Sequence, residues 1–283
     1  METRKKNILI LVAITLLGIA LRIHNLSDYK FYPDSYVPLI VAENINTFGS
    51  VIGTLGENGM LYPDFFGWTR PLFPYLIYLL NLMIGNLFLS GQIITMLAGI
   101  ATIPLSYFYI KSVLNSKTAG LFASLLLALS YSHVVWGGFI LSETTGVVFL
   151  ILFLWIFFKN LERESSLADW RDFLSGATFA LAVLARYEYA ILVLPVAFMF
   201  FLKLKEGKPV FARILNMIVA GSFLFALTYF YLSPFTLQFS NAGKEIGSLF
   251  GFFNSHGLNG IKKFVLSDIL LSIFGFLGLC YMF

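Results

Sequence analysis

The chain holds a single cysteine, Cys280, which excludes a disulfide framework and a cysteine-ligated metal cluster. Inside an apolar run, that thiol reads as a small packing residue. Charged residues make up only 12% of the 283 positions, too few to cover the surface of a soluble domain of this length. A Walker loop, a GxGxxG turn, an HExxH pair and a CxxC pair are all missing, which disfavours nucleotide-driven pumps and zinc peptidases. Internal repeats and low-complexity tracts are missing too.

Apolar and aromatic residues fill the space instead: 58% of the chain is hydrophobic, with 31 Phe and 14 Tyr. The fold class this implies is an all-α polytopic membrane protein. The net charge of +4 is a topology signal, because the basic residues sit in short clusters beside apolar runs and form no stripe for nucleic acid. The opening METRKKNILILVAITLLGIAL has the basic head and apolar body of a signal peptide. No small-x-small cleavage site precedes RIHNLSDYK, so it reads as an uncleaved first helix with its N-terminus inside.

Loop charges decide how the short run PLFPYLIYLLNLMIG (71–85) is placed. If it does not cross, twelve of the 19 basic residues lie inside, in clusters around Arg4, Lys111, Arg163 and Lys205. If it does cross, nine of those twelve move outside, against the positive-inside rule. The expected spans are therefore 7–23, 88–110, 118–137, 143–159, 172–186, 188–203 and 211–233, with an eighth from 264 to the end. In domain terms, 1–233 is a transmembrane core, 234–263 an extracytoplasmic loop and 264–283 a last helix. The chain stops inside an apolar run, the pattern of a piece of something longer.

The first extracytoplasmic loop, 24–87, contains FYPDSYVPLIVAEN. Over 35–48, Val37, Ile40, Val41, Ile45 and Phe48 fall on one helical stripe, the pattern of a helix lying on a membrane surface. Asp34 or Ser35 can cap that helix.

The polar residues near the outer face form a short list: Asp34, Asp64, Arg70, Glu143, Arg186 and Glu188. Carboxylates and guanidinium groups at helix ends on one side of a membrane can converge on a single cavity. Each also has a plain structural reading. Asp34 can be a helix cap, Asp64 in YPDFFGW a turn residue, and Glu143 in LSETTG a dipole partner in a first helical turn. Arg186 and Glu188 in LARYEYAIL can pair across a turn, or Arg186 can reach lipid phosphate. His24 and His133 read as interfacial histidines and lack the spacing of a metal site; His133 stands with Asp64 and Glu188 as a candidate substrate contact.

The order of these pieces resembles a family. One N-terminal span is followed by YPDSYVPLIVAENINTFGSV, then TRPLFPYLIYLLNLMIG, two spans joined by a short basic turn, GGFILSETTGVVFLILFLWIFF and SGATFALAVLARYEYAILVLPVAF. Together, over residues 7–233, they resemble the membrane core of the GT-C glycosyltransferases, in the branch of dolichyl-phosphate-mannose–protein mannosyltransferases and aminoarabinose transferases. The resemblance implies transfer of a hexose or pentose from a dolichyl- or undecaprenyl-phosphate donor to a hydroxyl on protein, lipid or glycan. The reaction would take place at the outer face of a membrane, that of a prokaryotic cell rather than the endoplasmic reticulum. It implies that Asp34 is the general base and Glu143 a second acidic residue. Where the family often has Asp-Glu this chain has Asp34-Ser35, and where it has a His-Pro-Pro or related pair this chain has Arg70-Pro71. Relatives that use a divalent metal carry Asp-x-Asp at the Glu143 position; Thr145 stands in the second place here, so the motif does not require a metal. Members usually continue into further spans or a C-terminal domain.

The residue types suit that chemistry. An attacking hydroxyl needs a carboxylate for its proton, and a leaving polyprenyl phosphate needs charge stabilisation, a task for Arg186 or Arg70, with Lys262 and Lys263 behind them. The surface helix and 71–85 would shape a groove for the prenyl chain. Rival classes are a secondary transporter, which usually shows repeats and midplane polar sites, and a transferase-like subunit without activity of its own.

Overall fold

A computed structural model of the chain describes residues 2–26, 33–48, 54–55, 61–62, 70–161, 163, 169–208 and 210–232. The chain divides into two compact units, Met1–Pro234 and Phe235–Phe283, and all described residues belong to the first. Asp64, Lys262, Lys263, the loop 234–263 and the helix expected at 264–283 lie outside them.

Among the described residues, ten α-helices carry nearly all the structure. They are α1 (Glu2–Leu26), α2 (Tyr36–Phe48), α3 (Leu72–Ile84), α4 (Leu87–Leu114), α5 (Lys117–Leu129), α6 (Tyr131–Trp136), α7 (Ser142–Leu161), α8 (Trp170–Ala185), α9 (Val193–Lys205) and α10 (Phe211–Leu232). Short 3-10 turns at Pro33–Ser35 and Tyr187–Leu192 lead into α2 and α9. The strands β1 (Thr54–Leu55) and β2 (Leu61–Tyr62) pair antiparallel. Side-chain caps set several helix starts: Asn86, Ser116 and Ser130 accept from the backbone N–H three residues on, at 3.0, 3.2 and 3.4 Å. Five segments are long and apolar enough to cross a membrane: Lys5–His24, Leu87–Leu114, Ser142–Leu161, Tyr187–Lys205 and Phe211–Thr228.

Three expected elements come out differently. The span expected over 118–137 is two helices, because Ser130 leaves helical geometry (ψ 114) to cap α6. The segment 172–186 forms α8, at 16 residues about 24 Å long and below the roughly 30 Å hydrocarbon thickness. It runs through the bundle interior, with Ser175, Thr178 and Ala182 buried. On α2 the buried face is Val41, Ala42 and Ile45, packed on Phe73, Tyr75, Ile77 and Tyr78 of α3, while Ile40 of the expected stripe is exposed.

Helix directions follow from residue pairs. α1 runs antiparallel to α4, since Gly18 lies against Ile103 and Arg22 against Gly99. α7 runs parallel to α4: Thr144 Oγ1 donates to the Thr95 carbonyl at 3.5 Å, and further along Phe108 stacks on Trp155 at 5.5 Å. Consequently α1 ends, and α4 begins, at the same end of the bundle, and the chain between them makes no net crossing. At 13 residues, about 20 Å, α3 is too short to span. α8 then runs back along α7, with Phe179 on Phe153 at 4.9 Å. Lys111, Lys117, Lys159, Arg171, Lys203, Lys205 and Arg213 therefore gather at the end opposite Glu143.

Small residues let these helices approach closely, as membrane bundles require when no hydrophobic force separates protein from lipid. The buried side of α4 is Ser90, Gly91, Thr95, Gly99, Thr102 and Ser106. Gly176 of α8 sits directly on the Met217 backbone of α10, leaving no room for a Cβ. Next to it, Arg213 is buried, donates from Nε to Asp172 Oδ1 at 3.0 Å, and gives its other nitrogens to the carbonyls of Leu161 and Arg163 at 3.0 and 2.6 Å. One guanidinium thus joins α7, α8 and α10. Removing one partner of such a pair strands a buried charge, so Asp172→Ala should destabilise the protein by about 3–5 kcal/mol. A drop in the detergent melting temperature would show this, and an unchanged melting temperature would deny the pair that role.

Candidate functional site

The end of the bundle opposite the basic cluster is built from three short-range accidents of sequence. Glu143 stands in the first turn of α7 after Ser142. Arg186 ends α8, where the chain turns extended (φ −151, ψ 111) before the 3-10 turn that carries Glu188. Arg70 precedes Pro71 at the entrance to α3 and has φ 25, a backbone conformation sparsely populated outside glycine. Its guanidinium is tethered at two points: Nη1 donates to Ser142 Oγ at 3.1 Å and Nη2 to Glu188 Oε1 at 2.7 Å.

The four charges close into a ring. Arg186 Nη1 is 2.5 Å from Glu143 Oε1, and Arg186 Nη2 is 3.1 Å from Glu188 Oε1. Arg70 Nη1 is 3.7 Å from Glu143 Oε1. Each carboxylate thus offers one oxygen to both arginines. Burial works against the Arg186 charge, but Glu143 and Glu188 outweigh it and hold the guanidinium above its ordinary value. The second Glu143 oxygen, Oε2, is buried and has no hydrogen-bond partner among the described residues. A buried carboxylate oxygen left without a donor has the capacity to accept a hydrogen bond from water or another molecule. Gly146, one turn into α7, is approached to 3.0 Å by both the Arg186 stem and the Tyr189 ring, measured from where a Cβ would stand. That missing side chain is what lets Arg186 lie across α7.

The remaining expected residues sit elsewhere or apart. Asp34 is exposed in the 3-10 turn before α2 and forms no ion pair among the described residues. Its helix packs on α3, whose entrance Arg70 forms. His133 is not in the ring. It faces Arg22, whose Nη2 is 2.7 Å from His133 Nδ1, and Thr102, whose Oγ1 is 3.2 Å from Nε2. A guanidinium can only donate, so Nδ1 accepts and Nε2 carries the proton toward Thr102. Arg22 is fully buried and also donates to the Gly18 carbonyl at 2.8 Å. Among the described residues, no group of three or more His, Cys, Asp or Glu is placed to hold a metal ion. Thr145 is buried, its Oγ1 without a partner among the described residues.

Sequence reasoning missed Ser142, Gly146 and Tyr189. A serine in LSETTG carries no local sign that it will accept from Arg70, and nothing in a single sequence ties Gly146 to Arg186 forty residues later. It also missed an apolar cavity of about 630 Å³ between α7, α8, α9 and α10. Its wall includes Phe179, Val183, Ala190, Val193, Phe200 and Ile218, so it reaches from the Glu188 turn deep along α8.

Neither a search of curated proteins nor one of solved structures returned a match. The family model for dolichyl-phosphate-mannose-protein mannosyltransferase matches residues 69–233, more than half of the chain. That stretch begins one residue before Arg70 and takes in Glu143, Arg186 and Glu188. The chain belongs to this family of multi-pass membrane glycosyltransferases of the mannosyltransferase type.

Proposed function

We propose that this protein transfers a sugar from a polyprenyl-phosphate donor to a hydroxyl on a protein, lipid or glycan, at the face of the membrane where Glu143 lies, and that this face is extracytoplasmic. The observation that carries the reading is the convergence of Arg70 and Arg186, from separate segments, on shared carboxylate oxygens at one end of an apolar bundle. Two guanidinium forks suit a phosphate as they suit a carboxylate, because their fixed N–H pairs match its oxygens. The family membership supports a lipid-linked donor, and the apolar cavity running from Ala190 along α8 is dry enough for isoprenoid units.

In the reaction the acceptor oxygen forms a bond to the anomeric carbon. The carbon–oxygen bond to phosphate breaks with its electron pair, and the growing charge on the phosphate is met by Arg186 and Arg70. The acceptor proton passes to a carboxylate. Asp34 suits that role, being exposed and free of any ion pair among the described residues, whereas Glu143 is already committed to Arg186. Glu143 Oε2, buried and open, accepts from a hydroxyl of the sugar or acceptor and so fixes its orientation. Asp64, outside the described residues, is a further substrate contact in this reading. His133 is one only if a substrate reaches the Arg22 side of α4.

Purified protein in nanodiscs, supplied with polyprenyl-phosphate mannose and an acceptor peptide or lipid, should release polyprenyl phosphate. Arg186→Ala should slow that release by about 10²–10³-fold, the range for losing a preorganised donor to a developing anion. Asp34→Asn should abolish transfer while leaving the melting temperature unchanged; near-normal turnover would remove Asp34 from the role of base. In a Cys280→Ser background, cysteines at Ser116 and Thr47 should label from opposite sides of the membrane, Ser116 from the cytoplasm. Labelling of Ser116 from outside would invert the proposed orientation.

A further inference from the structure

We propose that Glu188 is a placeholder: its carboxylate occupies the position of the donor phosphate between Arg70 and Arg186, and it is displaced when donor binds. This rests on reading the ring as the site for a lipid-linked phosphate. A single oxygen, Glu188 Oε1, accepts from both guanidiniums, at 2.7 Å from Arg70 Nη2 and 3.1 Å from Arg186 Nη2. A phosphate oxygen placed at that point would meet the same two donors. The ring holds two positive and two negative charges, so an arriving anion gains no net attraction until one carboxylate leaves.

Exposure and backbone decide which one leaves. The Glu143 side chain is 25% exposed, sits in the first turn of α7 and has its second oxygen buried. The Glu188 side chain is 48% exposed and stands on the 3-10 turn Tyr187–Leu192, a short element with poorer hydrogen-bond geometry than an α-helix. Of the two carboxylates, Glu188 is therefore the one that water can take up, at the cost of its contacts with Arg70 and Arg186. With it gone, Arg70, Arg186 and Glu143 carry a net single positive charge, the complement of a phosphodiester. After transfer the product is a phosphate monoester, free of its sugar, and the returning Glu188 competes with it for both guanidiniums. The ring is thus closed at rest, open with donor bound, and self-closing as product leaves.

The test measures binding of farnesyl phosphate and of inorganic phosphate to the detergent-solubilised full chain. The proteins compared are wild type, Glu188→Gln, Glu188→Ala and Arg186→Ala, each checked by melting temperature. Both Glu188 variants should bind farnesyl phosphate about three- to tenfold more tightly, the size of a partly exposed ion pair, while Arg186→Ala binds it weakly. In turnover assays Glu188→Gln should lower the donor KM and show a burst followed by slow product release. Equal or weaker binding by both Glu188 variants, with Arg186→Ala still impaired, overturns the placeholder and leaves the donor site standing. Farnesyl phosphate binding that is indifferent to Arg186 overturns both. Binding of inorganic phosphate as tight as that of farnesyl phosphate would mean a headgroup-only site without lipid selectivity and would count against the donor reading, not against exchange of Glu188.

Discussion

A charge inside an apolar bundle must be met by opposite charge or by hydrogen-bond acceptors, and among the described residues arginine–carboxylate assemblies meet that constraint at both ends of the bundle. At one end Arg213 is sealed between Asp172 and two backbone carbonyls, and it ties the end of α7 and the start of α8 to the start of α10. At the other end Arg70 and Arg186 share Glu143 and Glu188, and half-exposed side chains replace sealed ones. The same chemistry gives a rivet in the first case and a site in the second. What differs is water: a desolvated pair holds its geometry, while a partly wet one can exchange partners.

The bundle positions the second assembly with small residues. Gly176 brings α8 onto α10, the small side of α4 admits α1 and α7, and Gly146 lets the stem of Arg186 cross α7 to reach Glu143. Arg70 comes from outside the long helices, at the entrance to α3, with its guanidinium tethered to Ser142 and Glu188. A rigid pair and a tethered third member make a ring that can open on one side without loosening the core.

Arg22 shows how far such pairing can be stretched. It is fully buried, and among the described residues its partners are a carbonyl and the neutral face of His133 rather than a carboxylate. Three glycines, Gly18, Gly99 and Gly137, make room for it. This cluster stitches α1 to α4 and α6 one turn and more along α4 from Thr95, which lies level with the start of α7. The break at Ser130, which separates α5 from α6, places His133 in the first turn of α6.

The sequence by itself determined the class of fold, the long apolar helices, the shortness of the run 71–85 and the short list of polar residues near helix ends, because each depends on composition or run length. The family order of its segments was also readable along the chain. Only the tertiary structure decided which of those residues meet. Arg70 and Glu188 are 118 positions apart and their contact has no local signature. Asp34, the expected base, and His133, an expected substrate contact, were candidate site residues beside Arg70, yet one stands exposed and forms no ion pair among the described residues and the other belongs to a different cluster. Periodicity could not show that α2 would bury Ala42 in place of Ile40, since that choice belongs to the surface of α3. Nor could it show that α8, short and interior, carries a buried aspartate for an arginine 41 residues later. Local rules fix where a charge is tolerated; the three-dimensional packing alone fixes which opposite charge it finds.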